Sequence, residues 1–397
     1  MKKSFYAGLI SLVVFEVLKV YLIMPMPGSQ QLDSVQLAYV LHTWRWGFRV
    51  VCLAAIGVGA RAAFQGGWRR KWIAVVGLVL SGTIVWMFNF VATADHIFKE
   101  PQHLVHAPRA TNRLPLSSIV IAVEFNGEAK AWPIRYLVYH HQMHDTVGGK
   151  TVLVTYCSVC RTGRVYEPVV NGRPVTFRLV GMDHFNAMFE DATTGSWWRQ
   201  ANGEAVTGPL QGVRLPVVPS SQTTLRHWLE EHPAALVMQP DESADLEEDY
   251  DTYGRFERGK SKGDLTRTDP LSWQEKSWVV GVQAGRISKA YDWNRLKKDR
   301  VINDRVGDQA IVLVLATDGQ SFAAFERPAG SFTIQGDIIA ADGRTYDLAG
   351  RDRAEPAMRL KPVQAHQEFW HSWRTFHPGT LRYEPPTGQV VPTGSSK

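Results

Sequence analysis

Three long apolar stretches in the first 94 residues constrain the fold of this chain more than any other feature. They cover residues 5–24, 46–64 and 72–92. Each is close to the roughly 20 residues that a helix needs to cross a bilayer. The first could instead be a cleaved signal peptide, but no small-x-small cleavage site follows it and two further stretches do. The sequence therefore predicts a membrane anchor of three transmembrane helices over residues 1–94.

The distribution of positive charge predicts the orientation of this anchor. Lys2 and Lys3 precede the first apolar stretch, and the cluster Arg69-Arg70-Lys71 lies between the second and the third. The loop over residues 25–43 contains no Lys or Arg. Since cytoplasmic loops carry the excess of Lys and Arg, we expect a protein of the bacterial inner membrane with a cytoplasmic amino terminus. Three crossings then place the C-terminal domain in the periplasm.

A few polar residues interrupt the apolar stretches. Glu16 and Lys19 are three residues apart, so they can pair on one helix face, which lowers the cost of burying both in a membrane. Arg45 and Arg49, at the outer end of the second stretch, are a mild exception to the charge rule. Cys52 lies alone in that stretch, where a cysteine is most often a small apolar residue.

The net charge of +6 does not indicate a nucleic-acid-binding surface. All of the excess lies in the first 94 residues, which hold nine Lys or Arg against Glu16 and Asp33. The remainder of the chain is electrically balanced, whereas binding to phosphates requires a basic surface. The expected partners are the lipid bilayer and an unidentified membrane or periplasmic protein, and no nucleic acid is expected.

The region after the anchor contains a weak internal repeat. At an offset of 159, residues 119–168 align with residues 278–327 without a gap. Each copy predicts two strands joined by a turn, a short helical or irregular stretch, a glycine turn and a β-hairpin. Two such units can bury their apolar faces against each other. We therefore predict a mainly β (β-rich α+β) periplasmic domain over residues 95–375, built by duplication, with an insertion at 171–277.

Three further segments outside the repeat have clear signals. A helix is predicted at Thr223–Glu231, capped by Thr223 or Thr224 and ended by Pro233. The acidic segment 241–251 is predicted to be a solvated loop that can pair with the basic residues Arg255, Arg258, Lys260 and Lys262. Residues 376–397 form a tail, and the composition from Pro385 onward is typical of disorder.

Cys157 and Cys160 are the clearest candidates for chemistry. They follow a predicted strand, Val152–Tyr156, and no helical period comes after them, unlike in a thioredoxin-type redox site. In the second copy the same positions read Ala-Thr-Asp-Gly, which is typical of a hairpin turn. We therefore predict that this CxxC motif caps a β-hairpin. Such a turn resembles a zinc knuckle, in which two thiolates converge on one ion.

Histidine and methionine side chains near the cysteines predict a metal site. The segments YHHQMHDTVGG and GMDHFNAM lie before and after the hairpin. The predicted metal ligands are Cys157, Cys160, His140, His141, His144 and His184. The accessory candidates are Met143, Met182, Met188, Arg161, Arg164, Trp197 and Trp198. Soft ligands of this kind favour a copper or zinc ion.

The roles of these residues leave alternatives open. The cysteine pair outside the cytoplasm is a metal pair, a redox pair or a plain structural disulfide. The arginines can lower a thiolate pKa, hold an anion or lie exposed on the hairpin, and the two tryptophans can wall a pocket or fill a core. A second metal site could form from His96, His103 and His106, in the link after the third stretch.

Two functions follow from these readings. In the first, the protein is a membrane-anchored periplasmic metal-binding or redox protein. In the second, it is a non-catalytic binding or assembly module in which the cysteines form a disulfide. We favour the first because the second copy has Asp299, Arg300, Ile302 and Asn303 opposite the histidine segment, so a single copy carries all the soft ligands. The sequence does not establish whether the protein is an enzyme.

Several strings of the chain resemble a known family. They are GEAKAWPI, HDTVGGKTVLVTYCSVCRTGRVYEP and GMDHFNAMFEDATTGSWWRQANGEAVTGPLQG. Over about residues 95–375 they resemble the bacterial and archaeal domain-of-unknown-function family numbered 3179. The family's usual His-Glu-Ile-Val-Asn-Asp string places its histidine on His140, with His141 and His144 replacing Glu and Asn. The resemblance implies the fold and the location of the site, and the added histidines suggest a metal-binding branch.

Overall fold

The computed structural model describes residues 2–65, 68–241, 246–259, 263–327 and 330–385. The chain divides into two compact units, Met1–Arg267 and Thr268–Lys397. Three sequence predictions concern residues outside the described ranges. They are the disordered tail from residue 386 onward, the pairing of Lys260 and Lys262, and the acidic residues 242–245.

Long apolar helices begin the first unit. Its helices are α1 (Lys2–Tyr21), α2 (Val35–Thr43), α3 (Arg45–Ala63), α4 (Trp68–Trp86), α5 (Ala94–Ile97), α6 (Ile134–His140), α7 (Leu225–Glu231) and α8 (Glu247–Gly254). As the sequence predicts, three segments are long and apolar enough to cross a membrane: Lys2–Tyr21, Arg45–Phe64 and Lys71–Val91. Helix α4 continues into a π-helical turn, Met87–Val91. Helix α2, which the sequence did not indicate, lies in the second half of the first loop.

The polar residues of α1 lie inside this helix bundle. Glu16 is fully buried, and its carboxylate lies 3.0 Å from Lys19 Nζ and 2.7 Å from Arg49 Nε. Asn89, in the π-helical turn, donates a hydrogen bond to Glu16 and accepts one from each of the two cations. The predicted pairing of Glu16 with Lys19 is present. The structure adds Arg49 and Asn89, so that α1, α3 and the end of α4 share one polar cluster.

Short strands make up most of the remainder of the first unit. They are β1 (His106–Pro108), β2 (Ile119–Phe125), β3 (Glu128–Pro133), β4 (Gln142–Val147), β5 (Lys150–Cys157), β6 (Thr162–Tyr166), β7 (Val169–Val170), β8 (Arg173–Pro174), β9 (Phe177–Asp183), β10 (Asn186–Asp191), β11 (Trp197–Arg199), β12 (Ala205–Thr207), β13 (Ser221–Thr224) and β14 (Leu236–Met238). The sheets run in the orders β1-β14-β3-β2-β13, β12-β11-β10-β9, β4-β5-β6 and β7-β8.

The five-stranded sheet holds the main core of the first unit. The inner residues of β2 are buried on both faces of the sheet, as expected for a strand that is covered on both sides. Trp132, Leu137 and Trp228 come from β3, α6 and α7 and pack in the same cluster. Helix α7 confirms the prediction, because the Thr224 side chain accepts a hydrogen bond from the His227 N–H and caps it.

The acidic segment is not a loop throughout, so that prediction is wrong for residues 247–251. These residues lie in α8, which begins at Glu247. Tyr250 is 3% exposed and packs with Tyr136, their ring centroids 4.5 Å apart. The acidic side chains occupy the first turn, where negative charge is favourable beside the helix N-terminus. The acidic composition therefore stabilises a short helix that is anchored by a buried tyrosine.

The second unit is also rich in strands. Its helices are α9 (Trp293–Asp299) and α10 (Trp370–Phe376). Its strands are β15 (Trp278–Ala284), β16 (Ile287–Asp292), β17 (Val301–Val306), β18 (Gln309–Leu315), β19 (Phe322–Glu326), β20 (Thr333–Gln335), β21 (Ile338–Ala341), β22 (Arg344–Tyr346), β23 (Pro362–Val363), β24 (Ala365–Phe369) and β25 (Leu381–Arg382). The sheet orders are β24-β15-β16-β25, β17-β18-β19-β23 and β20-β21-β22.

The same series of elements occurs once in each unit. Strands β2 and β3, helix α6 and strands β4, β5 and β6 correspond in order to β15, β16, α9, β17, β18 and β19. The bounds of the first four pairs coincide when 159 is added to the residue numbers. The hairpin strands β5 and β18 both end at a turn, which contains Cys157 and Cys160 in the first unit and Asp318 and Gly319 in the second. The chain thus begins with three apolar helices, and a strand-rich α+β body follows them.

Candidate functional site

The two cysteines lie at the turn of the β5–β6 hairpin, as predicted. Cys157 is the last residue of β5 and pairs with Thr162, the first residue of β6. The Arg161 N–H donates to the Ser158 carbonyl at 3.3 Å, and Arg161 has a positive φ of 55°. A non-glycine residue seldom adopts this conformation. The chain therefore turns tightly enough to bring both cysteine side chains to the same side of the hairpin.

Both cysteines are buried thiols in this structure. Each is 0% exposed. Cys157 Sγ lies 3.5 Å and Cys160 Sγ 3.4 Å from the carbonyl oxygen of Phe185. Phe185 belongs to the turn between β9 and β10, where both it and His184 have positive φ values. A single backbone oxygen thus lies within hydrogen-bond distance of both sulfurs, and the two cysteine side chains converge on one point.

The surroundings of Cys157 favour its thiolate form. Burial alone raises the pKa of a thiol, because it disfavours the charged form. Hydrogen bonds from the Cys160 thiol and from the backbone N–H groups of Cys160, Ala187 and Val159 have the opposite effect. They outweigh burial, so the pKa of Cys157 lies below the ordinary thiol value. Cys157 is therefore the cysteine of the pair whose environment favours the thiolate.

The arginines beside the cysteines are buried, so exposure on the hairpin is excluded for both. Arg161 donates to the Glu257 carbonyl at 2.9 Å. Arg164 donates to the carbonyls of Ala201 and Gly163 at 3.0 and 2.9 Å. Because these guanidinium groups bind backbone oxygens, they attach the hairpin to the segments around it. Sequence reasoning had no means of identifying those carbonyl partners.

His140 and His141 lie at the end of α6 and are both buried. His140 Nδ1 donates to the Lys99 carbonyl, and its Nε2 lies 2.7 Å from the Tyr250 hydroxyl. Both nitrogens of His140 thus have partners within the protein. His141 Nδ1 donates to the Tyr139 carbonyl at 3.0 Å, and complete burial lowers the pKa of His141 to about 4. His141 is therefore neutral at pH 7, and its Nε2 keeps a lone pair.

His144 and His184 are placed differently. His144 Nδ1 lies 3.5 Å from a carboxylate oxygen of Glu100. His184 lies between two carboxylates, with Nδ1 2.6 Å from Asp183 and Nε2 3.2 Å from Asp33. The hydrogen bond to Asp183 raises the pKa of His184. Across the described residues, no group of three or more His, Cys, Asp and Glu side chains is arranged to hold a metal ion.

The other candidate residues mostly serve as core. Met143 and Met188 are 0% exposed. Trp197 and Trp198 are also buried, and their indole N–H groups donate to Glu190 and Asp191 at 2.8 and 2.9 Å. Trp198 packs in the same apolar cluster as both cysteines, and Met182 lies against that cluster.

Two of the three histidines of the link, His103 and His106, have contacts within the first unit. His106 lies in β1, with Nε2 3.0 Å from Asp145 Oδ2. Its partner is therefore an acidic side chain of β4 in the same unit. The backbone N–H of His103 donates to Asp241 at 3.1 Å. Within the described part of the link, His103 thus contacts Asp241 and His106 contacts Asp145. These contacts do not support the accessory metal site, which stays a prediction.

An apolar cavity of about 340 Å³ lies beside the cysteine turn, and sequence reasoning missed it. Ser158 and Val159, the two residues between the cysteines, form part of its wall. Met24 and Pro25, which follow α1, also line it, as do Ile97 and Phe98, at and just after the end of α5. These segments are far apart in the sequence. Only the pattern of apolar residues immediately after the first and third apolar stretches hinted at a shared surface.

Comparison with known proteins gives a family but no function. A family model described as "Protein of unknown function (DUF3179)" matches residues 99–380, which is more than two thirds of the chain. No curated protein and no solved structure matches the chain. The matched residues include the cysteine hairpin of the first unit and the corresponding cysteine-free hairpin of the second.

Proposed function

We propose that this chain, which belongs to the DUF3179 family, is a membrane-anchored redox protein whose centre is the Cys157–Cys160 thiol pair. The observation that supports the proposal best is the environment of Cys157, where a second thiol and three backbone N–H groups donate to one buried sulfur. A thiolate is the reactive form of cysteine in disulfide chemistry. A purely structural thiol has no need of such a set of donors.

The proposed reaction is the two-electron conversion of the pair between dithiol and disulfide. On oxidation, a bond forms between the two sulfurs, and the thiols lose two protons and two electrons to an acceptor. Cys157 is the sulfur that reacts first, since its thiolate is stabilised. Cys160 closes the disulfide after losing its proton. The Phe185 carbonyl oxygen, which lies within 3.5 Å of both sulfurs, marks the point on which they converge before the bond forms.

Metal binding by the same two sulfurs is the second candidate. The convergence of both thiols on one carbonyl oxygen favours it. Copper(I) is a soft ion that prefers thiolates, and zinc also binds them. The predicted histidine ligands have partners elsewhere, so Cys157 and Cys160 would provide the primary ligands. A stoichiometric metal that protects both thiols from oxidation would favour this candidate over the redox pair.

We propose that the three apolar helices anchor the protein in the inner membrane. Their length and composition support this. The cytoplasmic amino terminus and the periplasmic position of the matched domain rest on the loops, since Lys2 and Lys3 contrast with the absence of Lys and Arg from residues 25–43. An oxidising compartment suits a cysteine pair that cycles between dithiol and disulfide.

The first test is a redox titration of the full chain in detergent, with thiols counted by alkylation and mass spectrometry. We expect a single two-electron transition between the dithiol and a Cys157–Cys160 disulfide. The transition should disappear in Cys157→Ser and in Cys160→Ser. It should persist in Cys52→Ser, the matched control, because Cys52 lies in α3 away from the pair. Thiols that remain reduced across the whole range of potentials would contradict the proposal.

A second test uses the pH dependence of alkylation in a Cys52→Ser background. The midpoint for Cys157 should lie below that of an ordinary thiol, since hydrogen bonds to its sulfur lower its pKa. Cys160→Ala removes one of the donors and should move the midpoint upward. The midpoint is the readout, because burial slows the reaction at every pH. An unchanged midpoint in Cys160→Ala would show that Cys160 does not support the thiolate.

A further inference from the structure

The cavity beside the cysteines is connected with the apolar helices at two points. Met24 and Pro25 follow α1, and the Met182 N–H of β9 donates to the Ile23 carbonyl at 2.7 Å. Ala94 and Ile97 form part of α5, which comes directly after α4 and its π-helical turn. A molecule that is dissolved in the bilayer could therefore reach this cavity along the ends of the helices.

The cysteine turn supplies another wall of the same cavity. Ser158 and Val159 line it, and so does Ala187, whose backbone N–H donates to the Cys157 sulfur. A ligand in the cavity would therefore lie against the turn that carries the two cysteines, although neither cysteine is among the described lining residues. Both sulfurs are 0% exposed to solvent. A small molecule bound in the cavity is thus better placed to exchange electrons with the pair than a large protein substrate.

The polar groups of the cavity indicate an uncharged ligand. No Lys, Arg, Asp or Glu is among its described lining residues. His141 lines the cavity and is neutral, and its Nε2 can accept a hydrogen bond because Nδ1 is bound to the Tyr139 carbonyl. Ser158, Tyr253 and Thr266 add hydroxyl groups. A volume of about 340 Å³ lies within the range of small-molecule sites.

We infer that this cavity binds the head group of a membrane-soluble quinone, and that the quinone is the electron acceptor of the cysteine pair. This inference rests on the redox function proposed above. The reaction balances, because the two thiols give up two electrons and two protons as the disulfide forms, and the quinone takes up both to become the quinol. The mostly apolar wall suits a quinone ring, and Ser158, Tyr253 and Thr266 are the lining residues whose side chains carry a hydroxyl group. His141 Nε2 can accept from a quinol hydroxyl.

The test uses the full chain in lipid nanodiscs, reduced beforehand, with decyl-ubiquinone as the probe. We expect one quinone to be reduced per chain, measured by the loss of quinone absorbance, together with one disulfide measured by mass spectrometry. The double variant Cys157→Ser/Cys160→Ser should still bind the probe in equilibrium dialysis but should not reduce it. Met182→Trp should slow quinone reduction at least about tenfold by filling the cavity.

Controls separate this inference from the proposed function. Diamide, a small water-soluble oxidant, should form the disulfide in the wild type, and Met182→Trp should slow this oxidation much less than it slows quinone reduction. Leu271→Trp, at an exposed position of the second unit, is the matched control and should reduce quinone normally. If Met182→Trp does not fold, Thr266→Trp fills the same cavity from another segment.

The outcomes are distinct. Oxidation by diamide without any oxidation by the quinone would overturn the quinone site and leave the redox pair in place. Failure of both oxidants would overturn the redox function itself. Equal rates of quinone reduction in the wild type, in Met182→Trp and in Thr266→Trp would show that the quinone reacts elsewhere. Phospholipid that remains in the cavity and excludes the quinone in dialysis would identify a lipid site instead.

Discussion

Replacing Glu16 by Gln should largely abolish the folded protein in membranes. The carboxylate of Glu16 is fully buried and accepts from Lys19, Arg49 and Asn89. The variant would leave two cations inside the helix bundle without a negative partner. Removing one member of a buried ion pair costs about 3–5 kcal/mol, which is a large part of the stability of most domains. Charged groups are also expensive within a membrane span.

The measurement is the thermal unfolding of the full chain in detergent, together with its abundance in membranes. Arg61→Gln is the matched control, because Arg61 is an exposed charge of α3 and its loss should change the unfolding temperature little. The double variant Glu16→Gln/Arg49→Gln should recover part of the loss, since it removes one of the orphaned cations. A wild-type unfolding temperature for Glu16→Gln would show that the cluster contributes nothing to stability.

Gly181→Ala should separate β9 from the end of α1. A Cβ atom at this position would lie 2.5 Å from the Ile23 carbonyl oxygen and 2.9 Å from Ile23 Cβ. The backbone would have to move, and the hydrogen bond of 2.7 Å from the Met182 N–H to Ile23 would be lost. We expect a loss of about 2–4 kcal/mol from the clash and the broken bond together.

Two readouts identify the cause of this loss. The unfolding temperature should fall, and quinone reduction should fall more steeply than oxidation by diamide, because Gly181 and Met24 both line the cavity. Gly82→Ala is the control within the same unit. An added Cβ at Gly82, in the helical segment α4, contacts nothing within 4 Å. Normal stability and normal quinone reduction in Gly181→Ala would mean that the junction tolerates a change in spacing.

Sequence patterns predicted the local structure well. The three apolar helices follow from length and hydropathy, and the cap at Thr224 follows from residue type. The cysteine hairpin could be placed because the cysteine-free copy reads as an ordinary turn. These features depend on residues that are close together in the chain. The prediction of a loop at the acidic segment was wrong because it also rested on local composition, which does not show that Tyr250 is buried.

The site depended on contacts that no local pattern contains. The carbonyl oxygen of Phe185, which lies beside both sulfurs, belongs to the backbone. Its turn uses positive φ values at a His and a Phe, which rarely adopt them. The sequence predicts His140 as a ligand, but it cannot show that the Lys99 carbonyl and the Tyr250 hydroxyl, which are distant in sequence, contact its two ring nitrogens. The cavity is built from segments on both sides of the hairpin and beside the membrane helices. Its existence could be seen only in three dimensions.

The cysteine-free hairpin of the second unit shows that this architecture needs no sulfur to form. Strands β18 and β19 pair over Ile311–Leu315 and Phe322–Glu326. Asp318 closes the turn between them by accepting from the N–H groups of Gln320 and Ser321. The chain thus carries a cysteine-free counterpart of its own cysteine turn. Serine at both cysteine positions should therefore leave the scaffold intact, so that loss of electron transfer in such a variant can be assigned to the missing sulfur atoms.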